Sequence, residues 1–166
     1  MKTLKSYKIF EKDIKHLYQP NAYTCGVTCI KMVLDFLKKE NKSIEELSKL
    51  ANCNKLTGTV LSNMKKLLDI NDINYDLFKD LNHQEIIDNI KKDDCVYVIM
   101  IWLGDVPHWI LIKDYQDDEY VVNDPWQGEI VLSTEELNEM FNYDKINIYS
   151  VGVKLLVPYK IIKINL

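Results

Sequence analysis

The chain contains no arginine: its basic side chains are 21 lysines, set against 25 Asp+Glu, for a net charge of -4. Nucleic-acid backbones are gripped by basic patches and by the planar forks of arginine, so no nucleic-acid partner is expected. Glycine and proline are scarce, at 5 and 4 in 166 residues, which excludes collagen-like and low-complexity chains. No apolar stretch follows the first lysines, because MKTLKSYKIFEKDIKHLY keeps returning to charge, so a secretory signal is not expected. The longest uncharged apolar run, CVYVIMIWLG, is about half the length needed to cross a bilayer and reads as a buried strand. The expectation is a soluble, cytoplasmic protein with no membrane span, whose 4 cysteines remain free thiols. Cys25 and Cys29 have ligand-like spacing, but His16, His83 and His108 are scattered and no second cysteine pair closes a tetrahedral site. Neither a metal nor a cofactor is therefore expected. His16 and His83 read as surface residues, and Cys53 and Cys95 as buried thiols.

What is present is ordinary globular material. With 47% hydrophobic and 28% charged residues, no repeats and no linker, residues 1–166 read as one domain. From Cys25 to about Lys39 apolar side chains cover most of a helical wheel, so this helix is expected to be buried on most sides. Ser43 with Glu46 forms a capping box for a helix through Leu50. Thr59 is placed to cap another to about Leu68, and Asn82 with Glu85 starts a third that ends near Lys92. After Cys95 the pattern turns to short runs rich in Val, Ile and Tyr: VYVIMIWL, HWILIKDY, EYVVND, EIVLS and INIYSVGVKLL, the last after a helix at Glu135 to Phe141. Helices first and antiparallel strands second make an α+β fold, with a buried central helix packed on a C-terminal sheet.

The chemistry-bearing residues lie at the joints of this pattern. Cys25 opens the apolar helix, where the helix N-terminus offers unpaired N–H groups and partial positive charge that favour a thiolate. A nucleophilic thiol needs a base, and the base an orienting group. If HWILIKDY and EYVVND pair through a tight turn near Gln116 to Asp118, His108 and Asp124 fall within about two rungs of each other at one end of the sheet. The carboxylate can then hold the imidazole in one tautomer. Gln19, six residues before Cys25, is in reach to donate to an oxyanion, and Gly26 would allow a substrate backbone to approach closely. Trp102, Trp109 and Trp126 flank the same region; a site narrowed by tryptophans would favour small residues before a cut. Each of these residues also has a purely structural reading: buried cysteines on a core helix, a strand-end histidine, an aspartate opening a turn before Pro125.

The constellation resembles one family, the papain-like cysteine peptidases that remove double-glycine leader peptides from bacteriocins and related secreted peptides. In that family a Gln six residues before the nucleophile serves the oxyanion, Gly follows the nucleophile, a second Cys often comes four residues on, and His and Asp-Pro lie on later strands. Gln19, Cys25, Gly26, Cys29, His108, Asp124 and Pro125 match that pattern. The chain departs from it at Thr24, where the leader peptidases usually carry an acid, and at Leu34-Asp35, where they carry Tyr-Gly. The resemblance implies a papain-like fold and hydrolysis of a peptide bond, with a Gly-Gly end as the substrate junction. Catalysis would fall to Cys25, His108, Asp124 and Gln19, and substrate contact to Gly26, Trp109 and Trp126. The family's best-known members are N-terminal domains of ABC exporters; this chain shows no membrane span or nucleotide-binding motif, so the resemblance implies a free-standing relative serving a separate ABC exporter. Two other classes remain open on the residues alone: an acyl- or amidotransferase using the same thiol, and a non-catalytic peptide-binding module.

Overall fold

The computed structural model describes residues 12–39, 41–92, 94–147 and 159–166. Helices α1 (Cys25–Phe36), α2 (Ile44–Ala51) and α3 (Leu61–Ile70) come first. Strand β1 (Tyr75–Phe78) and helix α4 (His83–Lys92) lead into β2 (Cys95–Leu103), β3 (Val106–Gln116), β4 (Glu119–Asp124) and β5 (Gly128–Leu132). Helix α5 (Thr134–Asn147) and β6 (Ile161–Asn165) follow. The strands form one antiparallel six-stranded sheet in the order β1-β6-β2-β3-β4-β5.

Both faces of this sheet are covered, which explains why CVYVIMIWL is hydrophobic throughout rather than alternating. Val96, Val98 and Met100 of β2 join the core built on α1, α2 and α3, while Cys95, Tyr97, Ile99 and Ile101 join the core built on α4 and α5. Helix α1 is the centre of the first core: Val27, Cys29, Ile30, Val33 and Leu34 have no exposed surface, as its nearly all-round apolar wheel requires.

Local sequence signals set most helix starts. Ser43 Oγ accepts the Glu46 N–H while the Glu46 carboxylate accepts the Ser43 N–H, and Asn82 Oδ1 accepts the Glu85 N–H. Ser133 and Glu136 make the same reciprocal pair at the start of α5, a box not anticipated from the sequence; α5 accordingly begins before Glu135 and runs past Phe141. Helix α1 stops at Phe36 rather than Lys39, because Lys38 turns into the left-handed region at φ 54°. Thr59 does not cap α3. Val60 takes that position, its N–H donating to Asn63 Oδ1, and the Thr59 hydroxyl is used instead on the carbonyl of Tyr23.

The β3–β4 hairpin turns on Asp117 and Asp118, both in the left-handed region that two-residue hairpins demand. Its register runs from Gln116↔Glu119 to Leu111↔Asn123, with one shift between Ile112 and Asp114. Strands β1 and β6 were not anticipated. Of INIYSVGVKLL, Ile146 and Asn147 close α5 instead of opening a strand, and the remainder falls outside the described residues. The strand beside β2 is IIKIN, from the end of the chain.

Candidate active site

Strand β4 ends at Asp124, and the last recorded β3–β4 rung is Leu111↔Asn123, so His108 stands past the end of its neighbour, on the opening half of β3 paired with Ile101 of β2. There its ring is free of a backbone partner strand on one side. Its Nε2 lies 2.7 Å from Asp124 Oδ1, with His108 5% and Asp124 0% exposed. The sequence placed these two residues within about two rungs, and the diagonal across the strand end closes that gap.

Asp124 is held from several directions. Oδ1 also accepts the backbone N–H of Trp126 at 2.7 Å and of Gln127 at 3.3 Å, and Oδ2 accepts the Gln127 side-chain amide at 2.9 Å. Burial opposes the carboxylate's charge, but the His108 hydrogen bond, its positive charge and these donors prevail, so the Asp124 carboxyl is held below its ordinary value. An ionised carboxylate can only accept, so His108 Nε2 carries the proton and Nδ1 is left for a second partner. Of the thiols, Cys25 is the one whose side chain bears on this imidazole. Burial disfavours the imidazolium, yet its bonds to Asp124 and Cys25 and the charges behind them raise His108 to about 9.

Cys25 reaches this point through its entry segment. The Gln19 N–H donates to the carbonyl of Pro125 at 2.9 Å, and His16 Nε2 donates to the carbonyl of Asp124 at 2.8 Å. Residues 16 to 19 are thus laid along the turn after β4. Cys25 is the first residue of α1 and 6% exposed, and Thr24 before it makes no side-chain cap, which leaves first-turn N–H groups for a ligand. Gln19 donates one amide hydrogen to the carbonyl of Asn21 at 2.7 Å. Its Oε1 is buried and accepts no hydrogen bond.

Cys29, one turn along α1, has another role. Its Sγ lies 3.5 Å from the carbonyl of Trp109 in full burial, and that burial pushes its thiol well above the ordinary range. Cys53 bonds to the carbonyls of Tyr23 and Gly58 and is likewise raised by burial. All four cysteines are free thiols, and Cys25 is the one brought to an imidazole. Among the described residues no cluster of His, Cys, Asp and Glu is built to hold a metal ion, and no helix is long and apolar enough to cross a membrane.

The remaining predicted residues separate. Trp109 lies beside Cys25, its indole N–H donating to the carbonyl of Thr59 at 2.9 Å. Gly26 faces protein: a Cβ there would stand 2.5 Å from Thr59 Cγ2 and 2.7 Å from Met64 Sδ, so its smallness serves the packing of α1. Trp126 is 60% exposed and contributes its backbone N–H to Asp124. Two contributors were not foreseen. Gln127 could have been found as the residue three positions after Asp124, in the Asx-type turn that Asp124 opens, whereas His16 bonds across most of the chain and leaves no local signal. Neither His16 nor His83 is a free surface residue: both are partly buried, His83 through Nδ1 to the Tyr120 hydroxyl at 2.9 Å.

Solved structures share this arrangement of helices on an antiparallel sheet. The peptidase domain of Streptococcus ComA, a bifunctional ABC transporter of a quorum-sensing pathway, aligns with a TM-score of 0.66 at 16% identity, over 92% of this chain and 99% of that one. A double glycine motif protease from an AMS/PCAT transporter, solved with its leader peptide, aligns with a TM-score of 0.62 at 15% identity, over 93% and 94%. The peptidase domain of Streptococcus mutans ComA aligns at 0.55 and 16% identity, over 76% and 89%. No curated protein matches in sequence. At these identities the likeness is one of fold. The sequence model of the peptidase C39 family covers residues 13–149, a span that includes Gln19, Cys25, His108 and Asp124; the chain belongs to the peptidase C39 family and is a cysteine peptidase of papain-like fold.

Proposed function

We propose that Cys25, His108 and Asp124 form the catalytic triad for hydrolysis of a peptide bond and that Gln19 serves the oxyanion. The observation that carries this reading is the buried 2.7 Å bond from His108 Nε2 to Asp124 Oδ1, which leaves Nδ1 for the thiol at the head of α1. His108 takes the proton of Cys25, and the thiolate attacks the carbonyl carbon. The oxyanion is held by the Cys25 backbone N–H and the side-chain amide of Gln19. As the C–N bond breaks, the imidazolium protonates the leaving amine, and the acyl group remains on sulfur as a thioester. Water, deprotonated by His108, then releases the carboxylic acid and restores the thiol.

Leader-bearing peptides are the substrate class this reading favours, since a structural neighbour was solved with one; delivery to a separate ABC exporter on the cytoplasmic side fits the free thiols. A Gly-Gly junction is the narrowest form of that substrate, and the cavity beside Cys25 offers more room than glycine fills. The test is alkylation by iodoacetamide across a pH series, with the modified residue mapped by mass spectrometry. Labelling at Cys25 slowed by His108→Ala is the expected result. Labelling spread over several cysteines at equal rates would refute the triad. Candidate amines added to a cleavage assay report on transfer: a dominant amide product would make the protein a transferase.

A further inference from the structure

Residues 12–19, which lead towards Cys25, form neither helix nor strand, so individual bonds to the sheet fix their path in place of a ladder of their own. At one end Lys12 Nζ donates to the carbonyls of Ile90 and Cys95. At the other, His16 and Gln19 reach the carbonyls of Asp124 and Pro125. Between them the grip is on one atom, the carbonyl oxygen of Ile14. It accepts the Asn123 side-chain amide at 2.9 Å and the Lys113 ammonium at 3.4 Å, one donor for each lone pair.

A break in the sheet places Lys113. It lies in the β3–β4 register shift, between Ile112↔Val122 and Asp114↔Val121, and has no partner on β4. Such a bulge re-aims a side chain. Here the side chain is 4% exposed, and its ammonium is paired with the Glu129 carboxylate of β5 as well as with Ile14. Asp13, on the segment itself, also feels its charge. An apolar side chain would fill this place without the cost of taking an ammonium out of water, so stability alone does not account for a lysine there. What the charge supplies is a directional contact to a backbone that has no ladder.

We infer that Lys113 is a positioning residue for the thiol chemistry: by holding Ile14 against Asn123 it sets the path of residues 14–19, and so the place of Cys25 relative to the imidazole of His108. Asn123 and Asp124 are consecutive on β4, so the strand that orients His108 also carries the bonds to Ile14 and His16. Lys113 itself bonds to Ile14 and Glu129 and acts through them. This rests on the reading of Cys25 and His108 as a catalytic pair.

Iodoacetamide tests this, because it reports on the Cys25 thiolate without a known substrate; the rate of labelling is followed across pH by mass spectrometry. Lys113→Met keeps the reach of the side chain and removes its charge. In it, labelling of Cys25 below neutral pH is expected to slow about tenfold, with the profile shifted towards that of an ordinary thiol. Glu129→Gln keeps an acceptor and removes the charge from a side chain 33% exposed, so it is the variant that decides if Lys113→Met does not fold. It is expected to slow labelling about threefold. Phe141→Leu, in the core on the other face of the sheet, is the control for lost stability: its thermal midpoint should fall while the Cys25 profile stays unmoved. A wild-type profile in folded Lys113→Met, or in Glu129→Gln where Lys113→Met does not fold, overturns the positioning role, as does an equal shift in Phe141→Leu. If labelling depends on His108 while the charge variants leave it unchanged, the triad stands and the role of Lys113 alone fails. If His108→Ala leaves the labelling of Cys25 unchanged, the triad fails and the role of Lys113 with it.

Discussion

The backbone N–H of Gln19 donates to the carbonyl of Pro125, so the residue proposed to serve the oxyanion is tied to the turn that follows Asp124. His16, bonded to the Asp124 carbonyl, makes a second stitch along the same seam. Through these two bonds the head of α1 and the end of β4 meet.

The oxyanion role of Gln19 is tested by Gln19→Ala. Its backbone bond to Pro125 survives the substitution, so the loss should be chemical rather than structural. A fall of about 100-fold in kcat/KM on a cleaved peptide is expected, with an unchanged thermal midpoint, because removing one donor to a developing oxyanion costs that much. A loss below about tenfold would remove Gln19 from the mechanism.

Cys25 and Cys29 should part completely under alkylation. Cys29 is fully buried and its thiol is held neutral, so it should stay unmodified in the native state while Cys25 reacts. Cys25→Ala should abolish cleavage. Cys29→Ala should retain it, with a lower thermal midpoint from the cavity left in the core.

The pH dependence follows from His108. Its folded value of about 9 stands above its ordinary 6.5, so its pairing contributes stability fully below pH 6.5, and that contribution is lost as pH rises through about 9. Asp124 has the opposite sign: its stabilisation is present above the ordinary carboxylate value and is lost as pH falls through its lowered one. Denaturation midpoints measured over pH should decline on the alkaline side in the wild type. In His108→Ala that decline should flatten. The rate of cleavage should have an alkaline limb near pH 9, where the imidazolium that protonates the leaving amine is lost.

Gln127 acts through Asp124. Removing its amide in Gln127→Ala leaves Oδ2 without that donor, which concentrates negative charge on the carboxylate and should raise the proton affinity of His108. With the side chain exposed, a loss of about 1 kcal/mol, or roughly fivefold in rate, is expected. The discriminating readout is the alkaline limb, which should move to higher pH. A slower enzyme with an unmoved limb would show that Gln127 only holds the turn.

Gly26→Ala should destabilise the fold. Alanine favours a helix over glycine by about 1 kcal/mol, but its methyl meets Thr59 and Met64 inside contact distance, and overpacking costs about 1–3 kcal/mol. A lower thermal midpoint is expected in thermal denaturation.

Much of this architecture was legible in short stretches of residues. The wheel of α1, the boxes at Ser43 and Asn82, and the continuous apolar run of β2 all express interactions within a few residues of one another, where spacing alone decides the geometry. The pairing of His108 with Asp124 was also within reach, because a hairpin ties register to its turn. Where the reading failed, a distant group had intervened. Thr59 gave up its cap to bond Tyr23, and the strand beside β2 proved to be IIKIN rather than the more strand-like residues before it.

The residues therefore determined, without any coordinates, the elements, the thiol at a helix start and a carboxylate within reach of an imidazole. The tertiary structure alone decided which thiol stands near that imidazole, since the segment leading into Cys25 is laid along the turn after Asp124 by bonds from Gln19 and His16 that span most of the chain. It alone decided that Trp109 lines a pocket while Trp126 stands in solvent and that Gly26 yields room to a neighbouring loop. The physical reason is range. Periodicity, caps and turns record what a residue does to its near neighbours, whereas a cavity and a nucleophile's partner arise from surfaces that meet only when separate elements pack.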